Sequence, residues 1–432
     1  MIDEPLIRRL TVFGIWLLVV NGMIGAGIFG VGAEAARLTG AFSPWMFLLC
    51  GVLMAPVMLS FSEVARYFEG TGGPILYAHT AFGPLAAFQT GWAFYIARAT
   101  AFAANLNLLI SGLAFFWTGA DQGWLRLVLL TSICGALTWV NVIGSGEAMR
   151  TVGVLTILKF VPLIALVVLG LPVVGIEIFA APAAQVPVAG DFGAALVLLV
   201  YAYVGFESAL VPAGEARDPR RDMGRALLLS LVVVSLLYFL IQAVCVSVLP
   251  ALATTERPLV EAGAVLLGST GALIMTAGVI ASVAGNVAGA MFSTPRMTYA
   301  LALEGQLPSV FATVHPVHRT PSVSVIVFGA LVLALALTGS FAWLAGISVV
   351  TRLLIYLVCI GAIPRLRRWH ANQPGTTNVA RGWAIPLISA VICVGLLSQV
   401  SARSALVTAA FLGVGVALFA LNAWYQHRRL SH

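Results

Sequence analysis

The chain's one lysine, Lys159, stands among 22 arginines and sits inside an apolar run, Thr156-Ile157-Leu158-Lys159-Phe160-Val161-Pro162. A charge within a membrane-spanning run costs about 2.5–3.5 kcal/mol on insertion scales, so a functional role is the default expectation. Lysine can also release its proton in a protein, which arginine does not do. Two glycine-bearing stretches could do a second kind of chemistry. One reads Gly22-Met23-Ile24-Gly25-Ala26-Gly27-Ile28-Phe29, with three glycines in six residues. The other reads Tyr201-Ala202-Tyr203-Val204-Gly205-Phe206-Glu207. Each glycine costs a helix about 1 kcal/mol relative to alanine, so both stretches invite a break.

The chemistry of two such breaks is specific. A helix restarting at Ala26-Gly27 offers free N–H groups, which make an anion site. A helix ending over Tyr201–Val204 offers free carbonyls, which make a cation site. Together they suit a small zwitterion, carboxylate on one break and ammonium on the other, which is the part shared by all α-amino acids. Close helix packing through small residues is the other use of such glycines. Three more ionisable groups fall inside apolar runs: Arg98, Glu207 and Arg352. Arg98 reads either as a contact for an acidic or hydrogen-bonding substrate side chain or as half of an internal ion pair with Glu207. Arg352 is open to the same two readings, and Glu207 also suits the free amides after the second break.

The elements that must position these groups follow from composition. Of 432 residues, 60% are hydrophobic and only 9% charged, against about 25% charged in ordinary soluble domains. That excludes a soluble enzyme and a disordered chain. Runs of the roughly 20 apolar residues needed to span a bilayer fall at 12–36, 42–62, 84–117, 124–143, 151–171, 191–213, 226–248, 268–300, 323–341, 343–363, 383–399 and 404–424, twelve in all. With the N-terminus in the cytoplasm, sixteen arginines flank the cytoplasmic side and four (Arg37, Arg126, Arg257, Arg403) the other, which puts both termini in the cytoplasm. The net charge of +7 therefore reads as topology and not as a nucleic-acid footprint. The five cysteines all lie in apolar runs without metal-ligand spacing, and no metal or cofactor is implied.

Residues 12–171 and 191–363 hold five runs each. An odd number per block inverts the second relative to the first, and inverted repeats with broken helices at matching positions are a way to build alternating access. The two extra runs occupy 383–424 of a single transmembrane domain over 1–425, with a cytoplasmic tail at 426–432.

Gly22 to Phe29 resembles the first-helix glycine motif of amino acid permeases of the amino acid–polyamine–organocation superfamily. Tyr201 to Pro219, with Gly205-Phe206-Glu207 followed by Glu215-Ala216-Arg217-Asp218-Pro219, is similar to that family's sixth helix and the loop after it. Arg296, Tyr299-Ala300, Glu304-Gly305-Gln306-Leu307-Pro308 and Thr320-Pro321 resemble its eighth-helix exit. The resemblance implies an all-α fold of twelve transmembrane helices, five plus five inverted with discontinuous helices 1 and 6, and secondary active transport of amino acids. It carries substrate-backbone binding onto Ile24, Gly25, Ala26, Gly27, Tyr201, Ala202, Val204 and Gly205, with Phe206 as a side-chain or gate neighbour. It also implies that Lys159 stands where sodium-coupled relatives bind sodium, so that its ammonium either holds the broken helix permanently or titrates and couples transport to protons. The expectation is a bacterial inner-membrane carrier, sodium-independent and proton-coupled, with neutral amino acids favoured. The alternatives are a proton-independent exchanger, an exporter or, from another class, a channel.

Overall fold

The computed structural model describes residues 11–68, 72–143, 158–180, 189–207, 209–210, 219–371 and 382–430. Arg8, Arg9, Arg150, Arg217 and Arg381, the 151–157 part of the fifth expected span, the 211–213 part of the sixth, Glu215–Asp218 and the last two tail residues lie outside them.

Among the described residues every regular element is helical. We number the main helices α1 (Val12–Met23), α2 (Gly27–Thr39), α3 (Ser43–Ala65), α4 (Pro74–Phe82), α5 (Pro84–Leu113), α6 (Gly123–Ile143), α7 (Phe160–Gly170), α8 (Ala189–Tyr203), α9 (Pro219–Val248), α10 (Pro258–Ser293), α11 (Pro295–Leu303), α12 (Ser322–Thr338), α13 (Phe341–Ala371), α14 (Ala384–Ser398) and α15 (Ala402–Leu430). Proline stands in the first turn of α3, α4, α5, α10 and α11, where its missing N–H would have had no partner in any case.

Seven helical stretches are long and apolar enough to cross a membrane, and five shorter apolar helices accompany them. The helices are apolar on their outer faces as well as inside. On α6 only Leu130 and Cys134 are buried, while Trp124, Leu127, Val128 and Trp139 are exposed, which suits a lipid solvent and no other. The first expected span is two helices, α1 and α2, interrupted at 24–26. The sixth ends as an α-helix at Tyr203 and continues, after Gly205, as a tighter turn.

Several elements differ from the sequence reading. The run expected from 268 begins at Pro258, with a kink at Gly268 (φ 64°) and an end at Ser293 before α11. Glycine takes that left-handed conformation without a Cβ clash, so an uninterrupted apolar run hides the bend. The run expected from 226 begins at Pro219, because its first turn is polar. The helix α4 was not expected at all, being only nine residues long.

The interior is organised around α3 packed along α9 and α5 packed along α13, with α2 against α8 between them. That arrangement brings both interruptions, which are some 180 residues apart in sequence, to the same place.

Candidate functional site

The first interruption leaves a set of carbonyls with no helical partner. Lys159, immediately before α7 and 4% exposed, fills much of that need. Its Nζ donates to the Asn21 carbonyl at 2.9 Å and the Asn21 Oδ1 at 2.6 Å, and also to the Ile24 carbonyl. Those three acceptors match an ammonium's three donors. The Tyr238 hydroxyl, from α9, lies 3.0 Å from the Met23 carbonyl, and Ser282 Oγ, from α10, donates to the Gly25 carbonyl at 3.3 Å. The opposite pole is left open. The residue before α2, Ala26, provides no side-chain cap, so the first-turn amides of α2 carry their partial positive charge towards whatever occupies the space beside them.

The second interruption depends on Gly205. Its φ of 109° is disfavoured for any residue with a Cβ. A Cβ there would also overlap the Gly22 carbonyl oxygen. The Gly205 amide donates to Glu207 Oε2 at 2.8 Å. Glu207 Oε1 accepts from Arg352 Nε at 2.7 Å, and the Tyr356 hydroxyl lies 3.3 Å from Oε2. The structure thus gives Glu207 to the free amide and to Arg352. Arg98, the partner considered from sequence, instead donates to Ser293 Oγ at 2.9 Å and lies over the Phe94 ring. Arg352 stands on α13, which packs directly on α8, whereas Arg98 stands on α5 and faces α10.

The two interruptions are tied to each other. The Tyr238 hydroxyl, 3.0 Å from the Met23 carbonyl, is also 3.2 Å from that of Ala202. One side chain therefore serves the broken ends of α1 and α8 together. Tyr201 donates to Asn105 Oδ1 at 3.0 Å, and Asn105 Nδ2 donates to Asn286 Oδ1 at 3.2 Å. The Asn286 amide in turn packs against Gly25, where an added Cβ would come within 2.9 Å of Nδ2.

Both interruptions border one cavity of about 770 Å³. Gly25, Ala26, Gly27, Tyr201, Val204 and Gly205 line it, as do Arg98, Lys159 and Arg352. Ile24 and Ala202 are fully buried behind that lining. Phe206 is not on the wall. It is buried against Phe61 and Tyr356, because the turn after Gly205 carries it into an aromatic cluster between α3 and α13. The cavity extends to Arg296 and Glu304 at one end of the bundle. Behind the wall residue Tyr201, the Phe341 ring packs edge-on against it at 5.7 Å and lies so close to Gly30 that a Cβ there would overlap it.

Several contributors were not assigned a site role from sequence: Asn21, Tyr238, Ser282, Ser293 and Phe341. Tyr238 carried a signal, since tyrosine favours membrane interfaces and this one sits in the middle of an apolar run. The wall is largely apolar, with Arg98, Asn105, Asn286 and Ser293 among its polar residues.

Apolar helices of bilayer length around a cavity at two helix interruptions define a multi-pass membrane transporter. The chain belongs to the amino acid permease family, whose model matches residues 10–424, as the motif resemblance implied. It is similar to the serine/threonine exchanger SteT of Bacillus subtilis (strain 168), 26% identical over 392 residues covering 89% of this chain and 88% of that protein. It is also similar to two uncharacterised mycobacterial transporters. Rv1979c of Mycobacterium tuberculosis is 27% identical over 90% of this chain and 87% of its own. Mb2022c of Mycobacterium bovis is 27% identical over 98% and 92%.

Proposed function

We propose that this protein moves amino acids across a bacterial cytoplasmic membrane by alternating access, as a secondary active carrier. The observation that carries the reading is the pairing of unlike helix poles at one cavity. The α2 amides suit a carboxylate, and the carbonyl end of α8 suits an ammonium. The clamp reads groups common to all amino acids and leaves side-chain selection to the cavity wall.

Twelve spans in a five-plus-five inverted repeat account for the packing. In such a repeat spans 1 to 5 correspond to spans 6 to 10, so each interface should have a mate. The contact of α5 with α13 is mirrored by α7 with α10, that of α1 with α9 by α8 with α3, and that of α3 with α13 by α7 with α9. With arginine-rich loops inside, both termini are cytoplasmic. In that orientation Arg296 and Glu304 lie at the cytoplasmic end of the cavity.

Lys159 supports sodium independence, since its ammonium holds the oxygens of the α1 interruption that would otherwise be open to a cation. Being a lysine, it can also link that grip to a proton. Purified protein in proteoliposomes tests this. Uptake of labelled amino acid should persist when sodium is replaced by choline and should rise with an inward proton gradient.

A second reading is proton-independent exchange, favoured by the name of the Bacillus subtilis relative. Uptake that requires internal amino acid and ignores the pH gradient would select it. Efflux is the same machine run outward. A channel fits less well, because the chain belongs to the amino acid permease family.

A further inference from the structure

The helix poles account for the two charges common to every amino acid, so the charge of the cavity wall must answer to the substrate's side chain. Among the described lining residues the wall carries Arg98, Lys159, Arg296 and Arg352 against a single carboxylate, Glu304. Four of these five charges have partners of their own. Lys159 is spent on Asn21 and Ile24, and Arg352 on Glu207 behind the wall. Arg296 is folded back onto the Phe292 carbonyl and ring of its own segment. Glu304 is exposed at the cavity's end and accepts from Gln306 at 2.9 Å.

Arg98 remains. It projects from the middle of α5 and donates to Ser293 Oγ at 2.9 Å. Among the described residues no carboxylate lies within ion-pair distance of it. A guanidinium has five N–H donors in a fixed planar fork and keeps its charge. Most of that fork is therefore free on a wall it shares with Gly25, Gly27 and Gly205. An intramembrane arginine ordinarily pairs with an acidic group or faces water in a functional cavity. The partner that best matches the free fork is a carboxylate, taken bidentately.

We propose that the transported amino acids are those whose side chain ends in a carboxylate, of the aspartate or glutamate kind, and that Arg98 is the residue that selects them. The proposal rests on the amino acid clamp described above. It replaces the preference for neutral amino acids expected from the sequence. Cationic side chains are disfavoured on the same wall, since they would meet Arg98 with like charge.

Competition in proteoliposomes tests the proposal on the wild-type protein. Unlabelled L-glutamate and L-aspartate should inhibit uptake best, L-alanine and L-serine more weakly, and L-lysine and L-arginine least. Arg98→Gln should raise the KM for the acidic substrate by about tenfold or more and change the KM for alanine much less. Arg98→Lys, which restores the charge without the fork, should recover part of the loss. Uptake of alanine or serine that acidic amino acids fail to inhibit overturns the proposal and leaves amino acid transport standing. Equal losses for glutamate and alanine in Arg98→Gln, in a protein of unchanged thermal stability, also overturn it by making Arg98 a structural residue. If none of the twenty amino acids is transported or raises the thermal stability, the transport reading itself falls, and this proposal with it.

Discussion

Gly27 and Ala202 meet backbone to backbone: a Cβ built on Gly27 would lie 2.7 Å from the Cα of Ala202. The start of α2 and the end of α8 are thus in van der Waals contact at the level of the cavity. That contact sets the amides of one helix and the carbonyls of the other within the reach of one small molecule.

Gly205 is the less replaceable of the glycines at this junction. Gly205→Ala combines a disfavoured φ of 109° with overlap on the Gly22 carbonyl. The strained backbone alone costs about 1–3 kcal/mol, and the overlap forces α1 and α8 apart. Transport should fall to background and the thermal midpoint should drop. Gly289→Ala, on the same cavity but with open space around its Cβ position, should change stability little in a parallel unfolding experiment.

Lys159 should be needed for both stability and coupling. Lys159→Gln leaves some of the Asn21 and Ile24 acceptors without donors. A buried unsatisfied group costs about 1–3 kcal/mol, so the variant should unfold at lower temperature than wild type. Lys159→Arg keeps a cation that does not release its proton. Counterflow exchange by that variant, measured without a pH gradient, should exceed its proton-driven uptake. Equal stimulation of Lys159→Arg and wild type by a proton gradient would remove Lys159 from coupling.

Tyr238→Phe deletes one oxygen and leaves the ring. Two buried carbonyls, of Met23 and Ala202, then lose their shared donor. A loss of about 1–3 kcal/mol is expected. Part of it should appear as a raised KM, because the hydroxyl joins the two helix ends proposed to hold the substrate. A lower thermal midpoint with unchanged KM would make Tyr238 a packing residue only.

Glu63 ties α3 to α13 away from the cavity. It accepts from Arg367 Nε at 2.7 Å and from its second nitrogen at 3.1 Å, while Tyr67 donates to it at 3.2 Å. Burial, with the Glu63 charge beside it, pushes the Tyr67 phenol up to about 12, so Tyr67 stays a donor throughout the physiological range. The Glu63 side chain is 4% exposed and that of Arg367 15%. Glu63→Gln removes one partner of a largely buried pair, which costs about 3–5 kcal/mol when the other charge is left unpaired. Denaturation should report that loss, with the KM for substrate little changed.

How much of this was legible in the sequence depends on range. The interruptions were, because glycine spacing is local: Gly22, Gly25 and Gly27 mark one, Gly205 with Glu207 the other. Lys159 stood out too, because one charge in an apolar run is a local anomaly. Its acceptors were not, since Asn21 lies 138 residues away. The same holds for Glu207, whose partner Arg352 is 145 residues away on α13. Gly268 was invisible because a left-handed glycine leaves no hydropathy signature, and Phe206 was misplaced because one positive φ at Gly205 redirects everything after it. Local composition names the groups, and the packing of α5, α9 and α13 around the interruptions decides which of them meet.

The central claim is that two opposed helix poles hold the ammonium and the carboxylate of one substrate. Calorimetric titration of the purified protein tests it most directly, using the best-binding amino acid, its deaminated analogue and its α-ester. The account predicts that removing either charge weakens binding by at least about tenfold. An analogue lacking one charge that binds as tightly as the intact amino acid would contradict it.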